Sequence, residues 1–75
     1  MFKNQITGEA ETIEQAKETL TTGLEEGFQM DDWTMDDSPQ LRKEFIEVHY
    51  KLNELEGDEF DELDSHVSDE FRRLQ

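Results

Sequence analysis

Apolar residues recur along most of this chain at the spacing of an α-helix, so that one side of each stretch is apolar and the other is polar. Thr12 and Gln15 have the spacing of a capping box, which predicts a helix over residues 13–26. Gly23 within this helix costs about 1 kcal/mol relative to alanine and weakens the last turn. The apolar stripe of this helix consists of Ile13, Ala16, Leu20 and Leu24.

The second predicted helix has the better-defined start. Ser38 is a good N-cap, and Pro39 follows at the first helical position, where its missing N–H is not needed. The pattern predicts a helix over residues 39–56 that ends at Gly57, with His49 on the flank of the apolar seam. That seam repeats at heptad spacing, is widened by Ile46, and consists of Leu41, Phe45, Val48, Leu52 and Leu55.

A third helix is predicted over residues 59–74. Asp58 caps it, and Arg72 and Arg73 fall in its last turn, where positive charge suits the negative end of the helix dipole. Because only Gly57 and Asp58 separate the two patterns, helices two and three are expected to form an antiparallel hairpin. The apolar stripe here consists of Phe60, Leu63, Val67, Phe71 and Leu74.

Together these stretches predict one domain over residues 1–75 with an all-α fold, a small three-helix bundle. Residues 1–11 have weaker signals and are either a short strand or a frayed lead-in, in which Phe2 and Ile6 reach the core. Residues 29–37 contain four aspartates and no basic residue, which predicts an acidic loop between helices one and two.

Charge is the unusual property of the composition. Asp and Glu number 21 and Lys and Arg number 7, for a formal net charge of −14. Self-repulsion at this charge density opposes compaction, and low hydrophobicity with high net charge is also the signature of disorder. The helical periodicity favours a folded chain with an ordered acidic shell.

This acidic shell suggests a function. Carboxylates one helical turn apart are separated by roughly 5–6 Å, which is comparable to the spacing of phosphates along a nucleic-acid strand. The composition resembles that of the small acidic inhibitors made by phages and mobile elements. The resemblance implies an anti-defence type of inhibitor or modulator, which occupies a basic, nucleic-acid-binding surface of a partner protein by DNA-mimic electrostatics.

The candidate partner-binding residues are acids of helix one, the loop and helix three, together with the single tryptophan. They are Glu14, Glu18, Asp31, Asp32, Trp33, Asp36, Asp37, Asp58, Asp61, Glu62 and Asp69. Trp33 has two interpretations. It is either an apolar anchor for the partner, since tryptophan is enriched at binding hot spots, or a large side chain that closes one end of a small core.

Two other hypotheses stay open. The chain is alternatively a small structural or adaptor bundle whose acidity serves solubility in high salt. It is also compatible with an acidic interaction segment in which an apolar groove of a partner recognises Trp33. The heptad seam of helix two is usually intramolecular core, and a homodimer is the alternative.

No catalytic role, cofactor or metal site is predicted. The chain has no cysteine, and its aspartate-rich loop lacks the glycine and the final glutamate of a calcium-binding loop. Glu62 and His66 are one turn apart but have no second pair to complete a metal site. The negative field would repel nucleic acid, and no apolar run is long enough to span a membrane, so a cytoplasmic protein is expected.

Overall fold

A computed structural model describes residues 1–27 and 38–74 of the chain. This part is mostly helical, as the periodicity predicts. Its three α-helices are Ile13–Gly27 (α1), Pro39–His49 (α2) and Asp58–Leu74 (α3).

The structure adds a short antiparallel strand pair that the all-α prediction lacks. Strands Phe2–Lys3 (β1) and Ala10–Glu11 (β2) pair with Phe2 opposite Glu11. Gly8, between the strands, has φ +77°, a backbone conformation that glycine adopts without steric cost. Of the two expected apolar contacts, Phe2 is buried, whereas Ile6 is 63% exposed. We call residues 2–11 the N-terminal hairpin.

Helix α1 begins where the capping box predicts. The backbone N–H of Thr12 donates to Gln15 Oε1 at 2.9 Å, and the N–H of Gln15 donates to Thr12 Oγ1 at 3.3 Å. The helix continues through Gly23 and ends at Gly27, because its apolar stripe is held by tertiary packing. Its fully buried residues are Ala16, Leu20 and Leu24.

Helix α2 has the predicted start but is shorter than predicted. The N–H of Leu41 donates to Ser38 Oγ at 3.4 Å, and Pro39 lies in the first turn. The helix ends at His49 rather than at residue 56, because the next residue, Tyr50, is extended (φ −138°, ψ 155°) and forms a β-bridge with Asn4. The end of α2 is therefore set by the N-terminal hairpin.

The early end of α2 also corrects its predicted heptad seam. Leu41 and Phe45 pack against the core as predicted, but Val48 is 61% exposed, and Ile46 and His49 are buried in its place. Leu52 and Leu55 do contact the core, but from a connection that contains a short 3-10 helix, Leu52–Glu54. The prediction that only two residues join helices two and three is wrong.

Helices α1 and α3 run in the same direction. Three pairs of residues contact across them in ascending order along both helices: Lys17 with Glu62, Thr21 with His66, and Glu25 with Arg73. Helix α3 begins at Asp58, after Gly57, whose φ is +73°. The buried apolar core draws on the hairpin, all three helices and the connection, and consists of Phe2, Ala16, Leu20, Leu24, Ile46, Tyr50, Leu55, Leu63, Val67 and Phe71.

Candidate functional site

The predicted acidic residues that the structure describes are all on the surface. Glu14 and Glu18 are exposed on α1. Those of α3 are also exposed and are Asp58, Asp61, Glu62 and Asp69. The remaining candidates lie outside the described residues and are Asp31, Asp32, Trp33, Asp36 and Asp37.

The described candidates differ in their surroundings. Glu62 pairs with Lys17 at 2.8 Å, and Asp69 pairs with Arg72 at 3.1 Å. Asp61 borders a hollow that Lys43 also lines. Glu14 and Glu18 make no ion pair within the described part of the chain, so their charges are the more available to a partner.

Glu18 lines a concave feature that the sequence does not reveal. A groove of about 510 Å³ lies between the N-terminal hairpin and α1. No lysine or arginine is among the described residues that line it. We call it the acidic groove, because its lining includes four glutamates, Glu9, Glu11, Glu18 and Glu26.

One wall of the acidic groove is fixed by a hydrogen-bond network around Glu11. Thr19 Oγ1 donates to Glu11 Oε1 at 2.6 Å, while Asn4 Nδ2 at 2.6 Å and the Tyr50 hydroxyl at 2.9 Å donate to Oε2. We call these four residues the Glu11 cluster. They come from the hairpin, α1 and the end of α2, so the cluster joins three parts of the fold.

Asn4 is a buried member of the Glu11 cluster, at 2% exposure. Its Oδ1 accepts from the backbone N–H groups of Ile6 at 2.8 Å and Thr7 at 3.1 Å, which shapes the hairpin turn. Both ends of its amide are thereby satisfied, as a buried polar group requires. The Gln5 N–H also donates to the carbonyl of His49 at 2.7 Å, which ties the hairpin to α2.

The Glu11 cluster shifts the ionisation of two of its members. Burial opposes ionisation of Glu11, but the hydrogen bonds from Thr19, Asn4 and Tyr50, with an electrostatic contribution from His49, outweigh it and hold the pKa of this carboxyl below its ordinary value. Burial, together with the neighbouring charge of Glu11, raises the pKa of the Tyr50 phenol far above its ordinary value. At neutral pH the cluster is therefore an ionised carboxylate held by neutral donors.

His49 lines the groove and is 7% exposed. Its Nδ1 is 3.0 Å from the carbonyl oxygen of Phe45, and the two rings lie 4.7 Å apart. Its Nε2 lies beside Gly23, where an added Cβ would come within 3.0 Å of that nitrogen. Glycine in the middle of α1 therefore allows the close approach of α2.

Two ion pairs join α1 to α3. Lys17 bridges to Glu62, and Arg73 reaches Glu25 at 2.8 Å and Glu70 at 2.7 Å. Hydrogen bonds with these carboxylates raise the pKa of Lys17 and of Arg73. His66 Nε2 lies 2.8 Å from Thr21 Oγ1 and 3.0 Å from the carbonyl oxygen of Lys17, so this histidine helps join the two helices.

Among the acids that line the groove, only Glu18 was predicted as a candidate. Glu11, Asn4 and Tyr50 carry no motif and were not predicted. His49 was expected to pack beside the seam, and its burial agrees with that expectation. The polar residues Asn4 and Thr19, interleaved with apolar ones, are the only signal, and such a pattern does not reveal which partners they find.

Comparison with known proteins identifies no relative of this chain: no protein-family model, no curated protein and no solved structure matches it. Within residues 1–27 and 38–74, no group of three or more histidine or acidic side chains is placed to hold a metal ion. No helix in that same part of the chain has the length and apolar character needed to cross a membrane.

Proposed function

We propose that this protein is a non-catalytic inhibitor or modulator that acts in the cytoplasm and binds a basic, nucleic-acid-binding surface of a partner protein. The acidic side chains act as substitutes for phosphates. The three helices serve as a small bundle that holds these carboxylates in fixed relative positions. A phage or mobile-element anti-defence protein is the class that such a surface fits.

The observation that carries the proposal is the uneven neutralisation of charge. The chain has 7 lysines and arginines against 21 acidic residues, so its formal net charge is −14. Four of them, Lys17, Arg42, Arg72 and Arg73, already contact acids of the chain itself. Other acids of residues 1–27 and 38–74 form no ion pair, and they include Glu14, Glu18 and Glu26. Of these, Glu14 still contributes to the raised pKa of Lys17.

The arrangement of these acids supports binding to a protein. Glu14 and Glu18 are one turn apart on α1, a spacing of roughly 5–6 Å. A fixed array of negative charge speeds association with a positive surface, and salt weakens this effect. The same array repels nucleic acid, which makes a protein the expected partner.

Displacement from DNA tests the proposal. Proteins of a cell lysate are bound to immobilised duplex DNA, the wild-type protein is added, and released proteins are identified by mass spectrometry. We expect a defined subset to be released, and less release as salt is raised. The double variant Glu14→Lys/Glu18→Lys should release less of that subset.

A matched variant controls for net charge. Glu44→Lys/Glu47→Lys makes the same charge change on the exposed side of α2, and it should release as much as the wild type. Poly-glutamate at equal charge concentration controls for a nonspecific polyanion. Equal loss in both double variants, or a wild-type profile identical to that of poly-glutamate, contradicts the proposal. A protein that folds only in molar salt supports the structural alternative instead.

A further inference from the structure

We propose that two copies of this chain associate through one side of α2, with a two-fold axis near Val48. The contact surface consists of Leu41, Phe45 and Val48 of α2 together with Ile6 of the N-terminal hairpin, and we call it the α2 face. It contains none of the acidic residues on which the proposed function rests. The partner that fits it is a second copy of the same surface.

Exposed apolar side chains from two parts of the fold adjoin at the C-terminal end of α2. Ile6 is 63% exposed and Val48 is 61% exposed. The side-chain amide of Gln5 donates to the carbonyl of Glu47 at 2.6 Å, and its backbone N–H donates to the carbonyl of His49 at 2.7 Å. Ile6 follows Gln5 in the chain, and Val48 lies between the two acceptors. The hairpin therefore extends the apolar surface of the helix at this junction.

The α2 face continues along the helix at coiled-coil spacing. Leu41, Phe45 and Val48 are separated by four and three residues, so they lie along one side of α2. Leu41 and Phe45 pack against the core but are only half-buried, and Val48 is exposed. Each of the three keeps apolar surface available to a neighbour. Heptad positions that their own fold covers only in part are suited to contact with a second helix.

The charges around the α2 face permit self-association. Over residues 39–51 the exposed charged side chains are two lysines and two glutamates, Lys43, Lys51, Glu44 and Glu47. On α1, by contrast, all three exposed charged side chains are glutamates. A two-fold axis brings the same surface of both copies together, so an acidic surface repels its own copy. A surface with balanced charge can instead place unlike charges opposite each other.

Balanced charge also favours a second copy over the basic partner of the proposed function. A basic protein is attracted to the acidic surfaces and gains no such attraction at the α2 face. Salt separates the two contacts, because the Debye length falls from about 10 Å at 0.1 M to about 3 Å at 1 M. Salt should weaken binding to a basic partner, whereas it screens the repulsion between two acidic copies and should strengthen their association.

The size of the α2 face sets the strength of the expected dimer. Helix α2 has 11 residues and is therefore about 16 Å long. An interface of this length is small compared with those of permanent dimers. We therefore expect a weak, reversible dimer that forms at high protein concentration.

Sedimentation velocity tests the contact. The wild-type protein is compared from micromolar to millimolar concentration at low and at molar sodium chloride. We expect a monomer–dimer equilibrium that becomes tighter as salt rises. Val48→Lys should weaken the dimer by about tenfold or more, because it places a charge at the centre of the interface. Ser65→Lys makes the same charge change at an exposed position of α3 and should leave the dimer unchanged.

Two double variants give a second, matched test. Glu44→Lys/Glu47→Lys makes all four exposed charges around the α2 face positive and should weaken the dimer. Glu14→Lys/Glu18→Lys makes the same change in net charge on α1 and should not weaken it. In the displacement of proteins from DNA the expected order is reversed, since only the α1 variant should lose activity. The same two proteins therefore separate the α2 face from the surface of the proposed function.

A hairpin variant controls for misfolding at position 48. Ile6→Ser leaves α2 unchanged and should also weaken the dimer, and circular dichroism verifies that each variant retains its helices. A protein that stays monomeric at millimolar concentration in molar salt overturns the inference. So does a dimer that weakens as salt rises, or one that persists in Ile6→Ser and in Glu44→Lys/Glu47→Lys.

The α2 face and the proposed function can fail separately. Displacement from DNA by a protein that stays monomeric leaves the proposed function and removes the α2 face. Salt-strengthened association that depends on Ile6 and Val48, without displacement from DNA, leaves the α2 face and removes the proposed function.

Discussion

Two sides of α1 hold acidic residues by different means. Towards α3, Glu62 and Glu25 are balanced by Lys17 and Arg73, and all four side chains are at least partly exposed. Towards the hairpin, Glu11 accepts hydrogen bonds from three neutral side chains and forms no ion pair within residues 1–27 and 38–74. The α3 side has exposed ion pairs, and the hairpin side has a carboxylate that is oriented by hydrogen bonds from neutral side chains.

The two sides should differ in how much their acids stabilise the fold. Exposed ion pairs contribute little, because solvent and salt screen the attraction and two flexible side chains lose entropy. Hydrogen bonds to a partly buried carboxylate contribute more, because breaking them leaves buried donors without partners. The hairpin side should therefore dominate stability, even though the α3 side has the opposite charges.

The largest effect is expected from removing the centre of the Glu11 cluster. Glu11→Ala leaves the donors of Asn4, Thr19 and Tyr50 without their acceptor, and it should cost about 3 kcal/mol of unfolding free energy. Urea denaturation measures this change, and Glu14→Ala, on the exposed face of the same helix, is the control. Equal stability of the two variants would show that the cluster does not hold the hairpin.

A smaller effect is expected from removing one donor. Tyr50→Phe retains the ring in the core and its edge contact with Phe2, but it deletes the hydroxyl bond to Glu11. The expected loss is about 1–2 kcal/mol of unfolding free energy. The same denaturation experiment measures it. A loss as large as that of Glu11→Ala would assign the stabilisation to Tyr50 alone.

Changing pH should alter the stability that the hairpin side of α1 contributes, and the pKa shifts give the direction of each change. The pKa of Glu11 is lowered from 4.5 in the folded state, so its stabilisation is present above that pH and is lost as pH falls through the folded value. The pKa of Tyr50 is raised from 10.0, so its contribution is complete below that pH and is lost in stronger alkali.

The expected loss of stability in acid can be measured directly. The difference in unfolding free energy between wild type and Glu11→Gln should be constant near neutral pH and shrink as pH falls below 4.5. Tyr50→Phe should likewise reduce the loss of stability above pH 10. A difference that does not vary with pH would mean that the folded state does not favour the ionised form of Glu11.

The smallest effect is expected on the α3 side. Lys17→Met removes the bridge to Glu62 but keeps the apolar part of the side chain, and it should shift the melting temperature by about 2 °C or less. The shift should vanish in molar salt, where the wild-type pair is screened. A large, salt-independent shift would reverse the ranking of the two sides.

Local signals predicted the helix starts well. The capping box at Thr12 and the Ser38-Pro39 start are both observed, because each depends on bonds between residues close in the chain. The end of α2 was missed because it depends on Asn4, a residue 46 positions away in the chain, which pairs with Tyr50. Val48, which fits the heptad spacing and lies within α2, is nevertheless exposed.

The candidate site also has a part that the sequence predicted and a part that it did not. Periodicity placed Glu14 and Glu18 on the polar face of helix one, and both are exposed. The groove was not predictable, because it needs the hairpin folded against α1 and His49 brought close to Gly23. These contacts join parts of the chain with no local pattern in common.

By itself, the sequence determined the helical character of the chain, the places where helices begin and the excess of negative charge, since each follows from neighbouring residues or from composition. Only the tertiary structure decided which acids have cations, where α2 ends and which carboxylate is enclosed by neutral donors. The physical reason is that pairing and burial depend on distance in space. Glu11, Asn4 and Tyr50 meet only when the hairpin, α1 and the end of α2 pack together.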